Sequence, residues 1–316
     1  MDGSVLEASP LSATRNRPLR IIVNPTAGQA RGARLKRSLD RLTAAGTQWD
    51  IVETQARGDA EALARALAEA GEVGAIIAAG GDGTINEAIN GVMAAQRHGA
   101  PVPPFGLLPL GTANVLAGEL GIDTPETAAA ALLSGQTRKI ALGLCETPDG
   151  ARRYFSMMAG VGFDAHVVAG IDPALKRRFG KGAYVWQTLK EWLALKPARY
   201  TLGDGRDASS LILANGHFYA GRFTVAPEAN LDDPALIAAR FTKGGRLATA
   251  LYAAALPFGL LPHLPSVKRE RITHVSVNGP AGEPVQADGD TIATLPVTFT
   301  LAPERLTIFA APRARA

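Results

Sequence analysis

Ala78-Ala79-Gly80-Gly81-Asp82-Gly83-Thr84-Ile85-Asn86-Glu87 is the stretch from which the rest of this chain is read. An apolar run, Ala75 to Ala79, precedes it and predicts a buried strand. After it, Ile85, Ala88, Ile89, Val92 and Met93 fall at i, i+3, i+4, i+7 and i+8, the spacing of one helix face. The glycines therefore occupy a strand-to-helix turn. Glycine tolerates positive φ and lets another group come close to the backbone. The N–H groups of such a turn point outward with the positive end of the helix dipole. That is a phosphate cradle, and it is not the G-x-x-x-x-G-K-[ST] loop, which the chain lacks. Asp82 inside the cradle would repel a bare phosphate. A metal ion or a hydrogen-bonded partner is expected between them, which points to a magnesium nucleotide. The alternative is a glycine turn capped by Asp82 or Thr84 that holds no ligand.

Working outward, the same alternation recurs on both sides. Arg20 to Val23 predicts a short strand that runs into Asn24-Pro25-Thr26-Ala27-Gly28, and a helix follows with Leu35, Leu39 and Leu42 on one face. Trp49 to Glu53 predicts a strand ending at Thr54. Gly58-Asp59 then opens a helix with Ala60, Leu63, Ala64 and Leu67 inward. Phe105 to Leu108 is a further strand, followed by Pro109-Leu110-Gly111-Thr112-Ala113-Asn114 and a helix to about Leu120. Alternating strands and helices predict a doubly wound parallel sheet. Its four strand-end loops gather at the carboxyl edge, where open α/β sheets bind ligands. After a linking helix, Thr124 to Ser134, strand-like pieces dominate: 139–144, 154–158, 210–214, 223–226, 236–241, 273–277, 297–301 and 306–310. They predict a second, mainly antiparallel β domain. It carries one helical insertion, about Ala183 to Leu195, with Tyr184, Trp186, Leu189, Trp192 and Leu193. The division expected is a disordered tail over 1–18, an α/β domain over 19–134 and a β domain over 135–316, whose last strand is free to return to the first domain.

Composition bounds the rest. At 316 residues roughly two domains are expected. The formal charge is +4, with basic groups at Arg15, Arg17 and Arg20, at Lys176, Arg177, Arg178 and Lys181, and at Arg313 and Arg315. Such clusters suit an anionic membrane surface or a nucleotide. No basic stripe interleaved with aromatics is present, so no nucleic-acid partner is expected. The single Cys145 excludes an internal disulfide and fits a reducing compartment. No apolar signal-peptide core opens the sequence, and no apolar run reaches the ~20 residues that span a bilayer. A cytoplasmic protein that associates with membranes peripherally is expected. His98, His166, His217 and His263 lack the spacing of a metal site.

In their order, these motifs resemble the diacylglycerol-kinase catalytic-domain family, to which bacterial lipid kinases and the sphingosine and ceramide kinases belong. The residues that carry the resemblance are Asn24 to Gly28, Thr54 with Gly58-Asp59-Ala60, Gly80 to Glu87, and Pro109 to Asn114. It continues through Gly160-Val161-Gly162-Phe163-Asp164-Ala165, Ala214-Asn215-Gly216, Ala226-Pro227-Glu228-Ala229 and Asp288-Gly289-Asp290. The resemblance implies a nucleotide-binding α/β domain joined to a β-sandwich domain, with ATP and catalysis in the cleft between them. It implies that Asn24, Thr54, Gly80, Gly81, Asp82, Gly83, Thr84, Ile85, Asn86, Gly111 and Thr112 bind ATP. It also implies that the catalytic base sits in an Asp-Gly-Glu element. The matching residue here is Asp290, one methylene shorter than Glu, with Asp288 beside it; alone, the same triplet reads as an acidic hairpin turn. Some bacterial members hold a structural Mg²⁺ through positions matching Asn230, Asp233 and Ala235, with Pro234 here in place of the usual Gly. Val115 stands where many members have Asp.

The function so implied is transfer of phosphate from ATP to the hydroxyl of diacylglycerol or of a sphingoid or ceramide-type lipid. Magnesium serves the nucleotide, and the acceptor is met at an anionic membrane surface. A NAD kinase, which shares the glycine turn and fold, is the alternative enzyme, and a catalytically silent nucleotide or lipid sensor is the alternative outside enzymes. The sequence leaves the acceptor lipid and the oligomeric state open, a homodimer included.

Overall fold

The computed structural model describes residues 17–25, 29–172, 181–196 and 198–311. Most of the expected tail, the Thr26–Gly28 end of the second turn, Lys176 to Arg178 and the terminal arginines lie outside the described residues. The chain divides into two units, 1–139 with 306–316, and 140–305.

The first unit is built on a six-stranded sheet of order β2-β1-β3-β4-β18-β5. Its strands are β1 (Leu19–Val23), β2 (Trp49–Glu53), β3 (Ala75–Gly80), β4 (Phe105–Pro109), β5 (Thr137–Ile140) and β18 (Leu306–Phe309). Every residue of β3 and β4 is buried, as expected of parallel strands covered on both faces. β1 pairs in parallel with β2 on one side and β3 on the other, so strand order reverses between β1 and β3. In doubly wound sheets that reversal opens the ligand crevice. The helices are α1 (Gln29–Ala44), α2 (Asp59–Ala70), α3 (Asp82–Arg97), α4 (Val115–Glu119) and α5 (Pro125–Ser134). The apolar face expected for α3 is buried at all five positions. On α2 the buried residues are Ala60, Ala64 and Ala68, while Leu63 and Leu67 are only half-buried. Thr124 caps α5 with a reciprocal pair of bonds to Thr127. The last strand does return: β18 lies parallel to β4.

The second unit holds two six-stranded sheets, β10-β9-β14-β17-β6-β7 and β13-β12-β11-β8-β15-β16. The first contains β6 (Gly143–Glu146), β7 (Arg152–Phe155), β9 (Tyr200–Leu202), β10 (Asp207–Ala208), β14 (His274–Asn278) and β17 (Val297–Leu301). The second contains β8 (Met158–Val161), β11 (Ser210–Ala214), β12 (Leu236–Phe241), β13 (Val267–Ile272), β15 (Pro284–Ala287) and β16 (Asp290–Thr294). Neighbouring strands in both sheets are antiparallel, as at β17 with β6 and β11 with β8. Inward residues of both sheets form one buried cluster, including Phe155, Tyr200, Leu213, Val285 and Phe299. Phe155 and Phe299 meet edge to face, 6.3 Å between centroids. The helices of this unit are α6 (Phe163–Ala169), α7 (Lys181–Ala194) and α8 (Arg246–Ala255), the last followed by 3₁₀ turns at Leu256–Phe258 and Leu261–His263.

Several expected strands change here. The run 154–158 is two strands in different sheets, because the chain crosses between sheets at Ser156-Met157. The run 139–144 likewise breaks into β5 and β6, where Ala141 N–H turns away to Leu231 O. Residues 223–226 form no strand. Phe223 pairs only with Tyr219 across a turn, and Pro227 ends the segment. β13 was invisible to an apolar alternation because it is a charged edge strand, Val-Lys-Arg-Glu-Arg-Ile.

Candidate active site

In the first unit the register brings the four strand ends into line. Val23 pairs with Glu53 and Ala79, and Gly80 pairs with Pro109. Asn24, Thr54, Gly80-Gly81 and Leu110-Gly111 therefore emerge side by side at the carboxyl edge. Asn24 N–H donates to Ala79 O at 3.4 Å. Thr54 is buried, and both its N–H and Oγ1 donate to Val23 O, at 2.9 and 3.4 Å. Leu110 N–H donates to Gly80 O at 2.8 Å, which ties the third loop to the fourth.

These two loops then touch through glycine. A Cβ on Gly111 would lie 2.6 Å from Gly81 Cα and 2.6 Å from Asn114 Oδ1, so only glycine fits. A Cβ on Gly80 would lie 2.6 Å from that of Thr84. Gly81 itself is extended, with φ −89°, and its Cβ would find Gly111 Cα at 3.4 Å, an ordinary contact. The glycine turn thus needs close approach, not the positive φ that its composition suggests.

Asp82 has the partner that the sequence left open. Its carboxylate accepts from Asn114 N–H at 3.0 Å and Val115 N–H at 2.7 Å. These are the first N–H groups of α4, so a charged oxygen pair sits at that helix terminus. Asp82 is therefore a bridge between the two loops as well as a carboxylate in the cradle. Asn114 is buried, holds φ +47°, and donates from Nδ2 to Gly111 O at 2.9 Å. Its Oδ1 is buried without a protein partner among the described residues, an acceptor in want of a donor. Sequence reading had not placed Asn114 among the ligand residues. α3 begins at Gly81 with no side-chain cap, so no capping oxygen covers its first N–H groups.

Within α3 the expected residues separate by role. Ile85 is a core residue whose N–H is spent on Gly81 O. Asn86 is buried and accepts at Oδ1 from Asn90 Nδ2 at 3.1 Å. Thr112 is exposed on the Gly111 turn. The uncapped helix start suits a polyphosphate, while the orphaned Asn114 Oδ1, an acceptor, suits a hydroxyl, an amino group or a metal-bound water beside it.

In the second unit, Asp288 and Gly289 are the two central residues of the β15–β16 hairpin, with φ +48° and +84°. Two positive φ values are the mark of a type I′ turn, for which Asp-Gly is well suited. Asp288 turns its carboxylate onto the sheet-crossing corner. It accepts from Ser156 N–H (2.7 Å) and Ser156 Oγ (2.9 Å), and from Met157 N–H (3.0 Å) and Met158 N–H (2.9 Å). Asn215, wholly buried, holds the same corner from behind, donating to Ser156 O at 2.7 Å and Ala141 O at 2.8 Å. Asp290 opens the edge strand β16 and is half-buried. The hairpin is braced again by Gln286, a fully buried amide. It accepts at Oε1 from Gly289 N–H (3.2 Å) and donates at Nε2 to Asp164 (2.7 Å). Tyr219 OH donates to the other Asp164 oxygen at 2.5 Å. Burial pushes the Asp164 carboxyl above the usual carboxylate range, although these two donors pull against it. Tyr219 is pushed up in turn by burial and by Asp164. Asp164 lay in a motif noted in the sequence, but nothing there connected it to Gln286.

The expected magnesium loop is differently engaged. Asp233 forms a two-pronged ion pair with Arg271, at 2.8 and 3.3 Å, and this holds its pKa below the ordinary range. Asn230 O accepts Asp233 N–H at 3.0 Å. The charge that a cation would neutralise is neutralised by a guanidinium, so Asn230, Asp233 and Ala235 in this arrangement do not fit a metal. Among the described residues no three His, Cys, Asp or Glu side chains cluster as ligands. His166 Nε2 is paired with Glu283 at 2.8 Å, and Glu283 also accepts from Tyr200 OH at 2.6 Å.

Residues 18–145 match the model of the diacylglycerol kinase catalytic domain, and residues 157–310 match the YegS C-terminal NAD kinase beta sandwich-like domain. A diacylglycerol kinase of Mycobacterium tuberculosis is 30% identical over 302 residues, 91% of this chain and 93% of that one. The chain belongs to the diacylglycerol kinase family. A Chromohalobacter salexigens protein named "Probable lipid kinase YegS-like" is 35% identical over 206 residues, 63% of each chain. A solved diacylglycerol kinase structure from Bacillus anthracis superposes with TM-score 0.73 at 22% identity, covering 94% of this chain and 98% of that one, a likeness of fold.

Proposed function

We propose that this chain is an ATP-dependent lipid kinase that phosphorylates a hydroxyl of diacylglycerol or of a sphingoid or ceramide-type lipid. The observation that carries the reading is the Gly81–Gly111 approach locked by Asp82 at an uncapped helix start. That arrangement offers backbone N–H groups to the phosphates of ATP without a P-loop lysine. A lipid alcohol is a weak nucleophile. Asp290 takes its proton as the oxygen attacks the γ-phosphorus and the bond to the β-phosphate oxygen breaks, leaving ADP. Asp288 and Gln286 hold the hairpin so that Asp290 keeps its aim. Magnesium, when bound with ATP, would offset the charge of the β- and γ-phosphates.

The test is to offer radiolabelled ATP with a panel of diacylglycerol, ceramide and sphingosine in mixed micelles, with NAD as a separate acceptor. A labelled lipid is expected. Label in NADP instead, or in nothing, would sink the assignment.

A further inference from the structure

Two neighbouring helices of the second unit leave an apolar stripe uncovered. On α7, Trp186, Leu189 and Leu193 recur at i, i+3 and i+7, and they are 62%, 48% and 57% exposed. On α8, Leu247 and Leu251 recur at i and i+4, with Leu247 at 89%. The 3₁₀ turn that follows adds Phe258, 78% exposed. The helices are joined where these stripes meet. Trp192 Nε1 donates to Arg246 O at 2.9 Å, and the Arg246 guanidinium donates to Leu193 O. Leu247 and Leu251 also wall an open groove of about 670 Å³ lined in addition by Lys243, Tyr252 and Leu264. Large apolar side chains left exposed together on two adjoining helices mark an interaction surface.

The charges around the stripe select the partner. Residues 181–199 carry Lys181, Lys190, Lys196 and Arg199 against Glu191 alone, and Glu191 accepts a bond from Gln187 at 2.7 Å. Residues 242–268 carry Lys243, Arg246 and Lys268 and no Asp or Glu. A second copy of this face would set lysine against lysine, with Glu191 the single acid in these two segments and already engaged by Gln187. Among the described residues no helix is long and apolar enough to cross a membrane. A stripe of Trp, Leu and Phe within a cationic surround is the composition of an element that lies in the bilayer interface.

We propose that the α7–α8 face docks on an anionic phospholipid bilayer, with Trp186, Leu193, Leu247 and Phe258 entering at headgroup depth and Lys190 and Lys243 meeting lipid phosphates. This deepens the lipid-kinase reading, because it brings the enzyme to the phase that holds its acceptor. Binding can be read without turnover, so the two ideas fail separately.

Vesicles of phosphatidylcholine, with and without phosphatidylglycerol, are sedimented with the full chain. Binding is expected only with phosphatidylglycerol, weakening with salt. Tryptophan emission shifts to the blue on binding, and Trp186→Phe loses that shift. Leu247→Asp with Phe258→Asp lowers the partition coefficient by at least about tenfold. Melting is unchanged, because both side chains are exposed. Lys190→Glu with Lys243→Glu removes the preference for phosphatidylglycerol. The same apolar variant phosphorylates a short-chain, water-soluble diacylglycerol at the wild-type rate but falls behind on vesicles. Wild-type binding by these variants overturns the proposal. So does a wild-type dimer that Leu247→Asp dissociates without any lipid effect, which would make the face a contact between copies. Intact vesicle binding with no lipid phosphorylated would leave the docking face standing and remove the kinase reading.

Discussion

Asp82 and Asp288 are both aspartates in glycine turns, and both spend their carboxylates on backbone N–H groups. Asp82 reaches 32 residues forward and joins two strand-end loops. Asp288 reaches about 130 residues back and pins the corner where the chain passes between sheets. Asp82 leaves beside it an unpartnered amide oxygen, that of Asn114. Asp288 is saturated by four protein donors. An aspartate beside glycine thus bridges two strand-end loops in one unit and, in a hairpin turn of a different type, pins a sheet-crossing corner in the other. The proposed base, Asp290, lies two residues on, at the start of the edge strand β16.

The strongest way to break this contrast is to separate Asp290 from Asp288. Asp290→Asn should lower kcat by ~10²–10⁴-fold, the usual worth of a general base, with melting and ATP affinity unchanged. Asp290→Glu restores the reach of the family's residue and should keep most of the rate. Asp288→Ala should act the other way. It orphans the donors of Ser156, Met157 and Met158 and places alanine at φ +48°, so unfolding free energy should drop by about 3 kcal/mol. A denaturation curve and a kcat for each variant decide the matter. If Asp290→Asn keeps full activity while folded Asp288→Asn is dead, the two roles are exchanged.

A smaller effect sharpens the other side of the comparison. Gly111→Ala drives a methyl into Gly81 Cα and Asn114, an overpacking that costs roughly 1–3 kcal/mol. Gly81→Ala has space and an ordinary φ, so its stability should change by less than about 1 kcal/mol. Its methyl would face Gly111 Cα within the turn proposed to hold the phosphates, so ATP binding should weaken in a titration with the intact protein. Equal ATP affinity in Gly81→Ala and wild type would remove the phosphates from this turn.

The sequence showed the first unit well because its logic is local. A buried run, a glycine turn and a helical period lie within twenty or so residues of each other, and four repeats of that pattern fix a parallel sheet. The second unit was read less well because its signals are not local. The corner at Ser156-Met157 is defined by Asp288 and Asn215, far along the chain, and nothing at 154–158 announces a change of sheet. Charged β13 earns its strand from its place at a sheet edge, and the Asp164–Gln286–Gly289 brace exists only once β15 lies beside β8. The Asp233–Arg271 pair is likewise set by tertiary approach, which is why a metal loop could be expected from the sequence at that position.

The brace supplies the most delicate test. Asp164 has its pKa raised in the folded chain, chiefly by burial. An unfolded aspartate titrates near about 3.9. Below that value both states are protonated, and whatever stability the buried acid contributes is fully present. As pH rises, the unfolded carboxyl ionises first while the folded one holds its proton, so the unfolded state gains and stability falls until the folded pKa is passed. Asp164→Asn cannot titrate and should abolish this component. The difference in unfolding free energy between wild type and Asp164→Asn should therefore favour wild type most in acid, decline as pH rises above the free aspartate value and level off only above the raised folded pKa. Every other ionisable group is common to both proteins and cancels in the difference. Since Gln286 links Asp164 to Gly289, the variant should also lower kcat modestly while leaving ATP affinity intact, as a positioning residue would. A difference that instead grows with pH would mean the carboxylate is stabilised as an anion by Tyr219 and Gln286, and the buried acid would have to be redrawn as a charged acceptor.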